Sequence, residues 1–219
     1  MSKLLGNIFL VWRKGIGHRR IAVGEIRSNS LEGVRFRYLN ENLEEAKKQG
    51  FTPYTGFPDF NKEYTENVLG ILSQRLIKIE RNDASDFYKF WKVDENKKQD
   101  SYYMLAQTQG LLPIDNFEFL GDFNPIEGLK FVSEVAGLSF SKPPLDLLRV
   151  GDSLSYELDP TNSSDSRAVK LFKNSIQVGY VKLIHSRVFY KTKREIKITV
   201  HHIEKNGSIK RVFLLLSLS

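Results

Sequence analysis

Nine Lys and Arg residues lie between Lys182 and Arg211, against two carboxylates, Glu195 and Glu204. Cations clustered on one segment suit a polyanion, because each can displace a counterion from a phosphate. Lys182, Arg187, Lys191, Lys193 and Arg194 are the candidate phosphate contacts, and a solvated basic face is the alternative. Upstream, Asp159-Pro160-Thr161-Asn162-Ser163-Ser164-Asp165-Ser166-Arg167 forms a polar loop that runs straight into the strand-like Ala168-Val169-Lys170-Leu171. Asn162 and Asp165 are placed to bond their own backbone as Asx-turns. Val178-Gly179-Tyr180-Val181 follows, with Gly179 where another backbone or a ligand can approach closely. Ala136-Gly137-Leu138-Ser139-Phe140 precedes, again a glycine before an aromatic.

Other chemistry is poorly provided for. The 219 residues contain no Cys, which removes disulfides, thiolate zinc sites, Fe–S clusters and Cys nucleophiles. No phosphate loop, nucleophile elbow or H-E-x-x-H metal helix is present. Gly15-Ile16-Gly17 is an isolated glycine pair in a turn, with no helix after it to receive a phosphate. His201 and His202 are adjacent on a strand, so they face opposite sides and cannot chelate one metal together. Glu44 and Glu45 stand beside Lys47 and Lys48 at the spacing of solvated helix-surface pairs. A non-enzymatic protein without cofactor or metal is expected.

The elements that must position these residues fall into two halves. Residues 131–219 hold 14 Lys/Arg and 8 Asp/Glu, a net +6, whereas residues 1–130 are nearly balanced at 19 and 18. The first half opens with strand patterns over Asn7–Trp12, Ile21–Arg27 and Gly33–Leu39, then a short helix over Asn42–Gln49 stopped by Gly50. The aromatic, Gly- and Pro-rich stretch from Gly50 to Phe60 must pack as an ordered loop. Helical periodicity holds from Tyr64 to about Gln109, with Val68, Ile71, Leu72, Arg75 and Leu76 on one face and Asp83 as a candidate N-cap. Phe117–Leu120 is a short strand candidate between Pro113 and Pro125. The second half reads as six strands: Leu129–Leu138, Ser153–Leu158, Ala168–Phe172, Ile176–Lys182, Glu195–Ile203 and Ile209–Leu218. An amphipathic helix at about Leu183–Lys191 interrupts them, and Asn206-Gly207 marks a hairpin. This predicts an α+β chain, with a small β-sheet plus helices over 1–125 and a small antiparallel β-barrel over 126–219. The apolar run in MSKLLGNIFLVWRKG is too short for a membrane span and lacks a small-residue cleavage site, so a soluble cytoplasmic protein is expected.

The glycine–aromatic segment, the polar loop and the Gly179-Tyr180 strand together resemble the HIRAN domain family over roughly residues 129–204. The resemblance implies a small β-barrel that binds nucleic acid, in particular single-stranded DNA at its 3′ end. It places Ser139 and Phe140 on an Arg–aromatic pair that contacts the terminal nucleotide, and Asp165 on the acid that bonds the terminal hydroxyl. Tyr180 falls beside the DNA groove and Lys182 near the backbone phosphates, with Asn162 and Ser164 in the same loop. Ser164 stands where end-binding members carry a second stacking aromatic. Ser139 replaces a basic residue, Ser163 a proline and Arg167 an asparagine. Phe140 and Tyr180 have core packing as their alternative role.

Phe9-Leu10-Val11-Trp12, Val23-Gly24-Glu25-Ile26 and Phe36-Arg37-Tyr38-Leu39 resemble the N-terminal subdomain of HipA-type kinases, over about residues 6–60. The residues of the kinase core have no counterpart here. Two functions are therefore expected to compete: a nucleic-acid-binding accessory protein, and an antitoxin-like subunit that restrains a separate HipA-type kinase. A hydrolase is a distant third, for want of a catalytic constellation.

Overall fold

The computed structural model describes residues 3–77 and 82–218; the part of the helical period over residues 78–81 lies outside them. The chain divides into two units, Leu5–Asp122 and a second that begins at Phe123 and takes in Lys3 and Leu4.

In the first unit, β1 (Leu5–Trp12), β2 (Ile21–Asn29) and β3 (Gly33–Tyr38) are joined in sequence, and β4 (Phe117–Phe123) lies beside β1, giving the order β3-β2-β1-β4. Helices α1 (Asn40–Lys48), α2 (Val68–Leu72), α3 (Ala84–Trp91) and α4 (Ser101–Thr108) complete the unit. Gly50, at φ +98°, ends α1, and its N–H caps the Lys47 carbonyl at 2.9 Å. The aromatic loop is ordered around Tyr38, whose hydroxyl donates to the Phe57 carbonyl at 2.7 Å and accepts from the Tyr54 N–H at 2.8 Å. Asp83 precedes α3 but its side chain caps nothing there, because its backbone (φ −92°, ψ 1°) is outside the extended range from which an N-cap reaches. Asp100 does cap, accepting from the Tyr103 N–H at 3.0 Å ahead of α4.

The second unit contains β5 (Lys130–Ala136), α5 (Leu138–Ser141), β6 (Ser153–Asp159), β7 (Ala168–Lys173), β8 (Ile176–Val181), α6 (Arg187–Tyr190), β9 (Lys197–Lys205) and β10 (Ile209–Ser217). The strands close into a barrel in the order β10-β5-β8-β7-β6-β9, every pair antiparallel. Closure leaves no strand edge to aggregate. Val169, Leu171, Val178, Val212, Leu214 and Leu216 are fully buried, at the alternate positions that face a barrel interior. The helix expected over Leu183–Lys191 shrinks to the single turn α6. Ile184 sits at φ +69°, a left-handed conformation that a β-branched residue tolerates poorly and that no α-helix can contain. Among the described residues no helix is long and apolar enough to cross a membrane.

Candidate nucleic-acid interface

At the end of β5 the chain turns on Gly137, at φ +78°, into the single turn α5. The Phe140 N–H bonds the Gly137 carbonyl at 3.0 Å, and the Ser141 hydroxyl donates to the Val178 carbonyl of β8 at 2.5 Å. This pins α5 to the barrel wall and leaves Phe140 with 86% of its surface in water. Tyr180 lies opposite Ala136 on the same wall and is half-buried. Its ring edge would meet a Cβ added to Gly137 at 3.5 Å, so Tyr180 lies against the glycine on which the chain turns into α5. Phe140 is thus not a core residue. Gly179 answers its own question differently: a Cβ there would stand 2.4 Å from the Ala136 carbonyl. The close neighbour of Gly179 is the β5 backbone.

From Tyr180 the surface continues by register. Lys170 of β7 pairs with Tyr180, and its ammonium meets the Asp159 carboxylate at 3.3 Å. Asp159 also accepts from the Asn162 side chain at 3.0 Å. The Asn162 hydrogen bond, with Lys170 behind it, holds the Asp159 carboxyl below its ordinary range, against the opposing effect of burial. Asn162 in turn accepts from the N–H groups of Ser164 and Asp165 at 3.0 and 3.2 Å. Asp165 Oδ1 accepts from the Arg167 N–H at 2.8 Å, and its carbonyl accepts from Ala168 at 2.9 Å. Both side chains therefore shape the loop. Asp165 remains half-exposed while doing so, and Ser139 and Ser164 are exposed.

The cations separate into two groups. Lys182 is a correction: its side chain is 0% exposed, and its ammonium pairs with Glu134 of β5 at 3.1 Å. A buried ion in a salt bridge cannot reach a phosphate in solvent. Glu134 also takes the half-buried Arg211 at 3.2 Å. Arg187 is half-buried, whereas Lys191, Lys193 and Arg194 are exposed on the connection from α6 to β9. The last residue of α6 abuts the start of β7, where the polar loop ends, since the Tyr190 hydroxyl donates to the Ala168 carbonyl at 2.8 Å. Burial raises the Tyr190 pKa, and the nearby Asp165 and Asp159 charges add to the rise.

Strand register and hydrogen bonds link Tyr180, Lys170, Asp159, Asn162 and Asp165, and Ala168 links to Tyr190, next in sequence to Lys191, while Phe140 stands on α5 after the Gly137 turn. Sequence reading missed Lys170 and Tyr190 as members of this surface. The available signal was parity: Lys170 is the outward position between the inward Val169 and Leu171. His185, the most enclosed histidine, lies under the barrel wall with Nδ1 2.9 Å from the Ser133 hydroxyl, and among the described residues no cluster of carboxylates and imidazoles forms a metal site.

No protein-family model matches the chain, and no curated protein matches it. Among solved structures it is similar to the crystal structure of the HIRAN domain of human HLTF, at 20% identity and a TM-score of 0.32, over 40% of this chain and 74% of that one.

Proposed function

We propose that the barrel unit binds a nucleic-acid strand, single-stranded DNA or a DNA 3′ end, and that the protein is a non-enzymatic accessory factor. Phe140 carries this reading. A phenylalanine ring left in water forfeits the roughly 1.5–3 kcal/mol that burying it would contribute. Here it is held there by a one-turn helix that closes on the Gly137 carbonyl and is pinned to β8 through the Ser141 hydroxyl. A rigid exposed ring is a platform for a base, worth about 1–3 kcal/mol per stack and tolerant of sequence. Tyr180 on β8 and the Lys191, Lys193 and Arg194 cations beyond the polar loop supply a second ring and phosphate contacts. A half-exposed Asp165 suits a terminal hydroxyl, since an ionised carboxylate accepts its proton and repels a phosphate in the same place.

Fluorescence anisotropy on a labelled single-stranded oligonucleotide tests the proposal. Affinity should fall steeply with salt, by roughly 0.7 in logarithmic slope per phosphate contact. The double variant Lys191→Glu/Lys193→Glu should weaken all sequences alike, because phosphate contacts carry no base information. A 3′-phosphate should weaken binding by about 1–3 kcal/mol, and Asp165→Asn, which keeps the Oδ1 acceptor for Arg167, should shrink that difference. Affinity that is flat from low to physiological salt would sink the proposal. Capture of a HipA-type kinase by a chain with no affinity for DNA would favour the antitoxin-like function instead.

A further inference from the structure

We infer that the β1–β2 hairpin of the first unit grips duplex DNA through its tip, with Ile16 as an apolar wedge and Lys14 and Arg19 on phosphates. This contact belongs to a different unit from the barrel and does not depend on the strand-binding reading above. The connection Arg13–Arg20 holds three Arg, one Lys and one His, with no carboxylate of its own. Its base is riveted to β4. There the buried Glu118 takes Arg20 Nε at 3.1 Å on each oxygen and Arg13 at 3.5 Å. The Arg13 N–H adds a bond to the Asn116 carbonyl at 3.3 Å. Beyond that base the chain closes a β-turn, in which the His18 N–H donates to the Gly15 carbonyl at 3.2 Å and Gly17 takes φ +87°. That is the positive φ of the third residue in a type II turn. Ile16, second in the turn, is 84% exposed.

Burial divides the cations into two roles. Arg13 and Arg20 are half-buried and aim the tip through Glu118, whereas Lys14, His18 and Arg19 are exposed. Arg19 meets Glu45 of α1 at 3.1 Å, with both side chains about half in water. Exposed pairs of this kind contribute little, so a phosphate can take the place of the carboxylate, and the guanidinium fork suits it. Nothing in the turn geometry calls for an isoleucine, and its side chain gains nothing from water. An aliphatic side chain set among cations suits a ligand that is anionic outside and apolar within. Duplex DNA answers that description: phosphates flank its minor groove, and an aliphatic wedge can part the base steps at the floor. A lipid surface is held in proportion to the apolar area buried in it, and the turn offers one isoleucine. The fixed base keeps the tip from paying an ordering cost on binding.

Anisotropy on the full chain tests this with a labelled dumbbell duplex, closed at both ends by short loops so that it presents no 3′ end. The wild type should bind it. The logarithmic salt slope should shrink by about 0.9 in Lys14→Gln and about 1.8 in Lys14→Gln/Arg19→Gln. Ile16→Ser should keep the slope and weaken binding on the order of tenfold, the low end of what burying an isoleucine contributes. All three side chains are exposed, so a urea midpoint at the wild-type value assigns these losses to contact rather than to unfolding. On a single-stranded oligonucleotide the double variant should keep the wild-type slope. No affinity for the dumbbell, or an unchanged slope in the double variant, overturns the hairpin contact and leaves the barrel reading standing. Unchanged affinity in Ile16→Ser overturns the wedge. Failure to bind the single strand, while the dumbbell is held through Lys14 and Arg19, overturns the barrel reading and supports the hairpin. Sedimentation with phosphatidylserine vesicles that depends on Ile16, in a chain with no affinity for the dumbbell, makes the tip a lipid contact and overturns the proposal.

Discussion

Replacing Phe140 with Ala should weaken binding of a single-stranded oligonucleotide by about 1–3 kcal/mol and leave the urea midpoint unmoved, because the ring contributes almost no buried area. Lys182 should behave in the opposite way. Lys182→Met removes one partner of a fully buried pair, which typically costs 3–5 kcal/mol. The low end, about 3 kcal/mol, is expected because Arg211 still faces Glu134. Urea unfolding should register that loss while the salt slope of DNA binding stays as in the wild type. In the first unit, Arg75 is 6% exposed. It donates to the Tyr54 hydroxyl at 2.7 Å and the Gly110 carbonyl at 2.9 Å, pairs with Asp115, and faces the rings of Tyr54, Phe117 and Phe119. Its place on an apolar helical stripe in the sequence was the only hint of this, since the three partners come from distant segments.

At the scale of elements, β8 and the polar loop decide the shape of the surface. Gly179→Ala places a methyl 2.4 Å from the Ala136 carbonyl at a φ of +153°. It should lower stability by more than about 1 kcal/mol, read from urea unfolding. The loop should respond to pH with a definite sign. Asp159 has its folded pKa depressed by Asn162 and Lys170, so its contribution is present above the unfolded carboxylate value, about 3.9, and is lost as pH falls through the lower folded value. Asn162→Ala returns Asp159 toward its ordinary range. The variant should be less stable at neutral pH, and its thermal midpoint should fall less steeply between pH 5 and pH 2 than that of the wild type, taken as approximate limits for a depressed carboxylate.

For the whole molecule, the position of the boundary is itself testable. Asparagine and proline near residues 121–128 suggest a linker, and a cut after residue 125 looks natural from the sequence. Yet Phe123 stacks on Phe131 in the barrel core, and its carbonyl and Asn124 hold Lys191. A barrel fragment beginning at Phe123 should therefore resist urea better than one beginning at Ile126, and a comparison of their midpoints checks it. The barrel's six strands, the three strands and first helix of the opening half, and the Asx-bonded loop were legible in the chain alone. Each depends on alternation or turn chemistry between residues a few positions apart. The single turn α6 was not, because its start is set by a left-handed Ile184 that no local propensity announces. Lys182 and Lys191 belong to one basic run in the sequence, and only the pairing of Glu134 with Lys182 buries the first and leaves the second in solvent. Alternation and turns are fixed by neighbours along the chain, whereas burial and charge pairing are fixed by neighbours across the barrel, which exist only once it has closed.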